Sequence, residues 1–316
     1  MMQAAPPLLG VFPNEERLLL AAGQSMSPTE LDAARKLMAS GLPPVTSLQS
    51  LSLLMGVSTQ FLGAMLRNPS RFYRTFEIRS GTRTRRIRTP KVGLKIIQRW
   101  FSQHMSRALA FANHVHGFVP GRSTVTAARQ HCPATWVLTV DIRDFFGSVE
   151  SGQVFSCLID LGYPRAGAHV MTDLCTLERA LPQGAPSSPV LANLVFRETD
   201  KKLEVFATDQ RLQVTRYADD ISVSGQNSPD SDLVIQLAEL IESDGWVIAR
   251  NKTRLVKLPQ RHPLVLGLLV DQGSPRLPKS YRNRLRMMRH MLNTPYLTEP
   301  DRAKFLGHIA YAESVR

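Results

Sequence analysis

Three carboxylates are the residues in this sequence whose types and spacing could do chemistry. Asp141 closes a short β-rich run, Thr135 to Val140. Asp219 and Asp220 stand side by side at the bend of a strand–turn–strand that runs from Gln213 to Ser224. Adjacent acids on strands are disfavoured both by β-propensity and by mutual repulsion. A divalent cation is the simplest agent that offsets the repulsion. Magnesium takes oxygen ligands and is held by one or two carboxylates together with substrate phosphates. Two such ions about 4 Å apart bind the attacking and leaving oxygens of an in-line phosphoryl transfer. Carboxylates delivered from two strands are what such a site needs.

The elements that must position them are legible in outline. Residues 14–66 read as short helices, with Ser27 as N-cap and Pro28 at the first helical position of one. Residues 72–90 read as a basic hairpin turning at Ser80-Gly81-Thr82, and Leu94 to Leu109 as a helix. Residues 152–180 and Val190 to Phe206 read as helical, separated by a loop rich in Pro, Gly and Ser. A helix is expected over 231–244, strands at Trp246 to Ile248 and at Leu264 to Val270, and a helix from Tyr281 to Leu292. In the last, Leu285, Met288 and Leu292 form one stripe and Arg282, Arg286 and Arg289 another.

Charge frames the carboxylates. The chain has 316 residues and a net charge of +13. From Arg67 to Arg107 there are 12 Lys/Arg against one acid, and from Arg250 to Arg316 there are 14 against four. The remainder is net acidic, a pattern that suggests a polyanion gripped at its flanks with carboxylates at the centre. Hydrophobic content of 43% excludes an intrinsically disordered chain. No run of 18 apolar residues and no leader-like N-terminus is present, so neither a membrane span nor a signal peptide is expected. Cys132, Cys157 and Cys175 form no CxxC pair, which points to buried thiols in a reducing cytoplasm.

Four strings occur in order: DIRDFF from Asp141 to Phe146, LPQGAPSSP from Leu181 to Pro189, RYADD from Arg216 to Asp220, and Asn251-Lys252-Thr253. Over roughly residues 70–310 the sequence resembles reverse transcriptases, most closely the bacterial retron type. The resemblance implies an α+β fold of the right-hand polymerase kind, with an antiparallel palm sheet and a helical N-terminal extension over 1–65. Fingers are expected over 66–135, the palm over 136–260 with 150–188 partly on the fingers, and the thumb over 261–316.

The resemblance also implies roles. Asp141 and Asp219 bridge two Mg²⁺ ions, Asp220 supports them, and the Ile142 carbonyl contributes. Phe146 closes on the sugar and rejects a 2′-hydroxyl, selecting deoxynucleoside triphosphates, while Phe145 is core. Gln183 and Gly184 pack beside the incoming nucleotide, with Gly184 permitting close backbone approach. Arg85, Arg86 and Arg88 are candidates to clamp the triphosphate. Ala218 lies under the primer terminus, and Lys252 protonates the departing pyrophosphate. Val265 to Leu268 resembles the strand that holds the primer end.

Two signatures depart from the retron pattern. After His116-Gly117-Phe118, an expected Asn is replaced by Ala127, four residues before His131, which reads equally as a structural histidine or an RNA contact. Near the primer grip, Leu266 replaces a Thr. The leading expectation is a retron RNA-directed DNA polymerase that copies part of a structured non-coding RNA. It primes from a 2′-hydroxyl to give a branched RNA–DNA hybrid, msDNA, and acts in anti-phage defence with an effector or toxin, within a ribonucleoprotein of open oligomeric state. The alternatives are another small bacterial reverse transcriptase, untemplated or diversity-generating, and a polymerase-fold RNA-binding scaffold for an effector.

Overall fold

The structure, a computed structural model, describes residues 8–80, 83–294 and 297–315. It divides into two compact units. The first contains residues 1–111 and 144–198, and the second residues 112–143 and 199–316.

The first unit is mostly helical. Asn14, Ser27, Ser47 and Ser58 each cap a short helix with a side-chain oxygen, opening Glu15–Ala22, Pro28–Ala39, Leu48–Met55 and Thr59–Arg67. At Ser27 the bond is reciprocal: its hydroxyl accepts the Glu30 amide, and the Glu30 carboxylate accepts the Ser27 amide. Such a box stabilises a helix by about 1 kcal/mol. Strands β1 (Tyr73–Ser80) and β2 (Arg83–Pro90) form the basic hairpin, paired from Tyr73 opposite Pro90 to Ser80 opposite Arg83. Of its expected turn, Gly81 and Thr82 lie outside the described residues. The helix Val92–Ala108 follows and buries Leu94, Ile97, Trp100, Phe101 and Met105. The helical stretch 152–180 is two helices, Ser151–Asp160 and Arg165–Cys175, because Gly162 at φ 90° and Pro164 interrupt it. The second stretch likewise splits, into Ser188–Val195 and Arg197–Asp209, the latter belonging to the second unit from Thr199 onward.

The second unit is built on one antiparallel sheet. Its strands are β3 (Trp136–Asp141), β4 (Gln213–Tyr217), β5 (Asp220–Gly225) and β6 (Arg254–Lys257), ordered β4-β5-β3-β6. β3 is central, and five of its six residues are buried. The helices Thr124–Gln130 and Leu233–Glu242 also belong to this unit. A mixed helix-and-sheet fold with antiparallel pairing is what the sequence indicates.

Two strand expectations are corrected. Trp246 to Ile248 is irregular, with a single bridge from Ile248 to Ile142, because Trp246 turns inward to donate to Thr199 Oγ1 at 3.0 Å. Leu264 to Val270 is not one strand but a tight hairpin of β7 (Leu264–Val265) and β8 (Leu268–Leu269). Its two turn residues, Leu266 and Gly267, both take positive φ, 48° and 82°, as short hairpin turns require. The helix Lys279–Leu292 buries Leu285 and Met288 against the helix Glu299–Ser314, leaving Arg282, Arg286 and Arg289 exposed. Cys132, Cys157 and Cys175 are free thiols. Among the described residues, no helix is long and apolar enough to cross a membrane.

Candidate active site

In the second unit the sheet brings the three carboxylates to one end. Asp141 is the last residue of β3 and Asp220 the first of β5, and the register sets them opposite each other. Tyr217 pairs with Asp220, so Ala218 and Asp219 form the two-residue turn between β4 and β5. Ala218 has φ 57°, a left-handed conformation costing a residue with a Cβ about 1–2 kcal/mol. The Ile142 amide donates to the Asp219 carbonyl at 3.0 Å, and the Ala249 amide to the Asp141 carbonyl at 2.8 Å. Ile142 therefore sits at the junction of the strand and the turn. Ala218 itself is buried.

The electrostatics match the donor set. Burial, then the charges of Asp219 and Asp141, push the Asp220 carboxyl up to about 6, against the pull of Lys252. Lys252 lies in the turn Arg250–Lys252, and its ammonium donates to Asp141 Oδ1 at 2.5 Å. Among the described residues, no three His, Cys, Asp or Glu side chains close into a ready-made metal cage. Oxygen donors crowded at one point, with excess negative charge, fit hard cations that complete their shells with substrate phosphates rather than with a full protein cage.

The turn rests on residues to which the sequence analysis gave no role. Arg216 is fully buried, and its guanidinium forks onto Asp200, Nε to Oδ1 at 2.7 Å and Nη2 to Oδ2 at 2.5 Å. Its Nη1 donates to the Ala218 carbonyl at 3.2 Å. Burial alone pushes the Asp200 carboxyl up, but the Arg216 charge and hydrogen bonds outweigh it and hold it below the usual range. Gly117 packs so closely on the turn that a Cβ there would lie 2.4 Å from the Ala218 nitrogen. The sequence signal was available: a charged residue within a strand of buried neighbours demands a buried partner of opposite sign.

In the first unit, Gly184 lies against β2. It has φ 118°, and a Cβ would meet Ile87 Cγ2 at 2.8 Å and the Arg88 carbonyl oxygen at 3.1 Å. The Arg88 amide donates to the Gln183 carbonyl at 2.8 Å. The three arginines separate: the two-residue period puts Arg86 and Arg88 on one face of the hairpin and Arg85 on the other. Arg88 is half-buried and paired with Glu178 at 2.6 Å, while Arg85 and Arg86 are exposed. Phe145 is buried against Phe196, with ring centroids 5.8 Å apart, and Phe146 is half-buried beside it at 5.5 Å.

Of the two signatures that depart from the retron pattern, the second, Leu266, is half-buried in the β7–β8 turn, and the first is interior. Ala127 is fully buried, and His131 is buried with Nδ1 2.7 Å from Ser224 Oγ and Nε2 2.8 Å from Thr215 Oγ1. With both ring nitrogens engaged, His131 is structural rather than a contact for RNA.

The reverse transcriptase (RNA-dependent DNA polymerase) family model matches residues 79–310. The chain is 32% identical over 239 residues to the retron Ec86 reverse transcriptase of Escherichia coli, covering 73% of each. It is 32% identical over 317 residues to the retron Mx65 reverse transcriptase of Myxococcus xanthus, covering 92% of this chain and 72% of that relative. Among solved structures, it is similar to an apo telomerase from Candida tropicalis, with TM-score 0.47 and 10% identity over 70% of this chain and 61% of that one. The chain belongs to the reverse transcriptase family, among the retron reverse transcriptases, and is an RNA-directed DNA polymerase.

Proposed function

We propose that this polymerase copies part of a cognate structured non-coding RNA, priming from a guanosine 2′-hydroxyl of that RNA and leaving a branched RNA–DNA hybrid. We assign it to the cytoplasm, in anti-phage defence beside an effector protein. The observation that carries the reading is Asp141 facing Asp220, with Asp219 in the adjoining turn, in a chain of the retron family.

The primer hydroxyl loses its proton to solvent as its oxygen attacks the α-phosphorus of a deoxynucleoside triphosphate, the bond to the bridging oxygen breaks, and pyrophosphate leaves. Two Mg²⁺ ions held by Asp141, Asp219, Asp220 and the Ile142 carbonyl would supply the hydroxyl activation and charge neutralisation this transfer needs. The Lys252 ammonium gives its proton to the departing pyrophosphate and regains one from solvent. Ala218 leaves room beneath the primer end.

In the first unit, one of two exposed arginines on β2, Arg85 or Arg86, which lie on opposite faces of the hairpin, takes the triphosphate, while the ion pair with Glu178 makes Arg88 a support of the loop. Gln183 and Gly184 lie beside the nucleotide, and the half-buried Phe146 ring meets the sugar where a 2′-hydroxyl would clash. We assign residues 66–135, with part of 150–188, to fingers, 136–260 to palm and 261–316 to thumb. Arg282, Arg286 and Arg289 on the thumb helix face RNA phosphates, so binding weakens steeply with salt.

The test is the nucleic acid that co-purifies from the native host, treated separately with RNase and DNase, beside an Asp219→Ala/Asp220→Ala variant. A DNA of discrete length joined to RNA, and absent from the variant, is the expected result. Heterogeneous DNA points to untemplated synthesis, and RNA alone from both proteins points to a scaffold; either overturns the proposal.

A further inference from the structure

We infer that Arg216 and Asp200 are positioning residues that set the direction of Asp219, by fixing a peptide plane of the turn that carries it. The inference rests on the reading that Asp219 and Asp220 hold metal ions.

A peptide unit is planar, so fixing its carbonyl fixes its amide and the bond to the next Cα. The Ala218 carbonyl belongs to the peptide that enters Asp219, and Arg216 Nη1 holds it at 3.2 Å. The Asp219 carbonyl belongs to the peptide that leaves Asp219, and the Ile142 amide holds it at 3.0 Å. Both planes flanking Asp219 are therefore pinned, one by a side chain and one by the backbone. The side-chain pin is itself immobilised. The guanidinium is forked onto Asp200 by two bonds and is fully buried. Asp200 stands on the helix Arg197–Asp209, and His114 Nε2 lies 3.3 Å from its Oδ1. The backbone of Arg216 is held as well, its amide donating to the His114 carbonyl and its carbonyl accepting from His116, each at 2.8 Å.

Stability alone does not call for this arrangement. A buried ion pair is commonly replaced by apolar residues of similar volume with no loss of stability, whereas removing one partner leaves a buried charge uncompensated. What an apolar pair cannot supply is the donor to the Ala218 carbonyl. Without it, a turn already held at φ 57° is free to relax, and the Asp219 carboxylate with it. Groups that orient metal ligands from outside typically change metal affinity or activity by about 10- to 100-fold when mutated.

The experiment compares Arg216→Met, Asp200→Leu, the double variant Arg216→Met/Asp200→Leu, and Arg216→Lys in the full chain. Three measurements are made: thermal melting, Mn²⁺ binding by electron paramagnetic resonance without nucleotide, and primer extension, which gives kcat and KM for deoxynucleotide. The single apolar variants melt lower than wild type. The double variant melts near wild type, yet binds Mn²⁺ about 10- to 100-fold more weakly, and loses kcat with little change in KM. Arg216→Lys keeps the charge balance but gives up the fork, so it shows the same split and carries the test if the double variant does not fold. Wild-type Mn²⁺ affinity and kcat in a folded double variant, or in Arg216→Lys, would overturn the inference. Asp219→Ala separates the two readings: if it binds Mn²⁺ as wild type does, the metal assignment itself fails, whatever the clamp variants do.

Discussion

Asp141 and Asp220 face each other directly across the antiparallel strands β3 and β5, at the end of the sheet where the turn presents Asp219. Like charges directly opposite are destabilising in a sheet. Lys252 relieves this on one side by donating to Asp141. Burial first, and then the remaining excess charge, raises the Asp220 carboxyl. The fold thus tolerates a local conflict at the point where the chemistry is assigned, as functional sites commonly do.

The conflict has a measurable sign. The Asp220 carboxyl is raised from 3.8 to about 6, so the folded protein binds more protons than the unfolded chain over that window. This group's contribution is most favourable at low pH and is lost as pH rises toward and past about 6. In EDTA at pH 7.5, Asp220→Asn is expected to stabilise the protein by about 1 kcal/mol after discounting for solvent screening, roughly 2–4 °C in melting temperature. DNA synthesis by the same variant falls at least about 100-fold. A variant no more stable than wild type at pH 7.5 would remove the repulsion argument.

Gly184→Ala puts a Cβ into Ile87 and the Arg88 carbonyl at a residue held at φ 118°. A loss of about 1–3 kcal/mol in urea unfolding is expected, with a higher KM for deoxynucleotide. Adding Ile87→Ala relieves the 2.8 Å contact but not the φ, so it restores stability only in part. Full restoration would show that the backbone conformation carries no strain.

Phe146→Val shortens the ring proposed to meet the sugar. Ribonucleotide incorporation relative to deoxynucleotide is expected to rise about 10- to 100-fold, the scale on which apolar shape discriminates. The readout is single-nucleotide extension with each triphosphate. An unchanged ratio would return Phe146 to the core beside Phe145.

His131 predicts acid sensitivity in the second unit. Burial, with His116 adding to it, lowers its pKa from 6.5 to about 3. The folded form keeps the ring neutral while the unfolded chain takes up a proton below about 6.5. Stability from this group is therefore full above pH 6.5 and declines as pH falls toward 3, by at most about 1.4 kcal/mol per unit. Urea unfolding at pH 7, 6 and 5 reads the slope. His131→Gln is expected to be less stable at pH 7, having lost its fit between Ser224 and Thr215, yet flatter with pH. Equal slopes would assign the acid sensitivity to other groups.

Local signals in the sequence were read where physics is local. Ser27, Pro28 and Glu30 announced a helix start, and the apolar run before Asp141 announced a buried strand. Residues whose role depends on distant partners were not legible in the same way. The strand Arg254–Lys257 is short and largely exposed, with no alternation to betray it, and exists because it pairs with β3. Leu264 to Val270 has strand-like composition, but two positive φ values fold it back on itself.

By itself the sequence determined which residues could act: the three aspartates, the loop containing Gln183 and Gly184, the basic hairpin, and their order along the chain. Turn chemistry, capping and apolar periodicity act over a few residues, so they survive in a linear reading. Tertiary structure alone decided that Asp220 rather than Asp219 faces Asp141, and that Arg216 and Asp200 meet beneath the turn. These are matters of strand register and burial. A shift of one residue in register turns every side chain to the other face, and only the packed sheet chooses between the two.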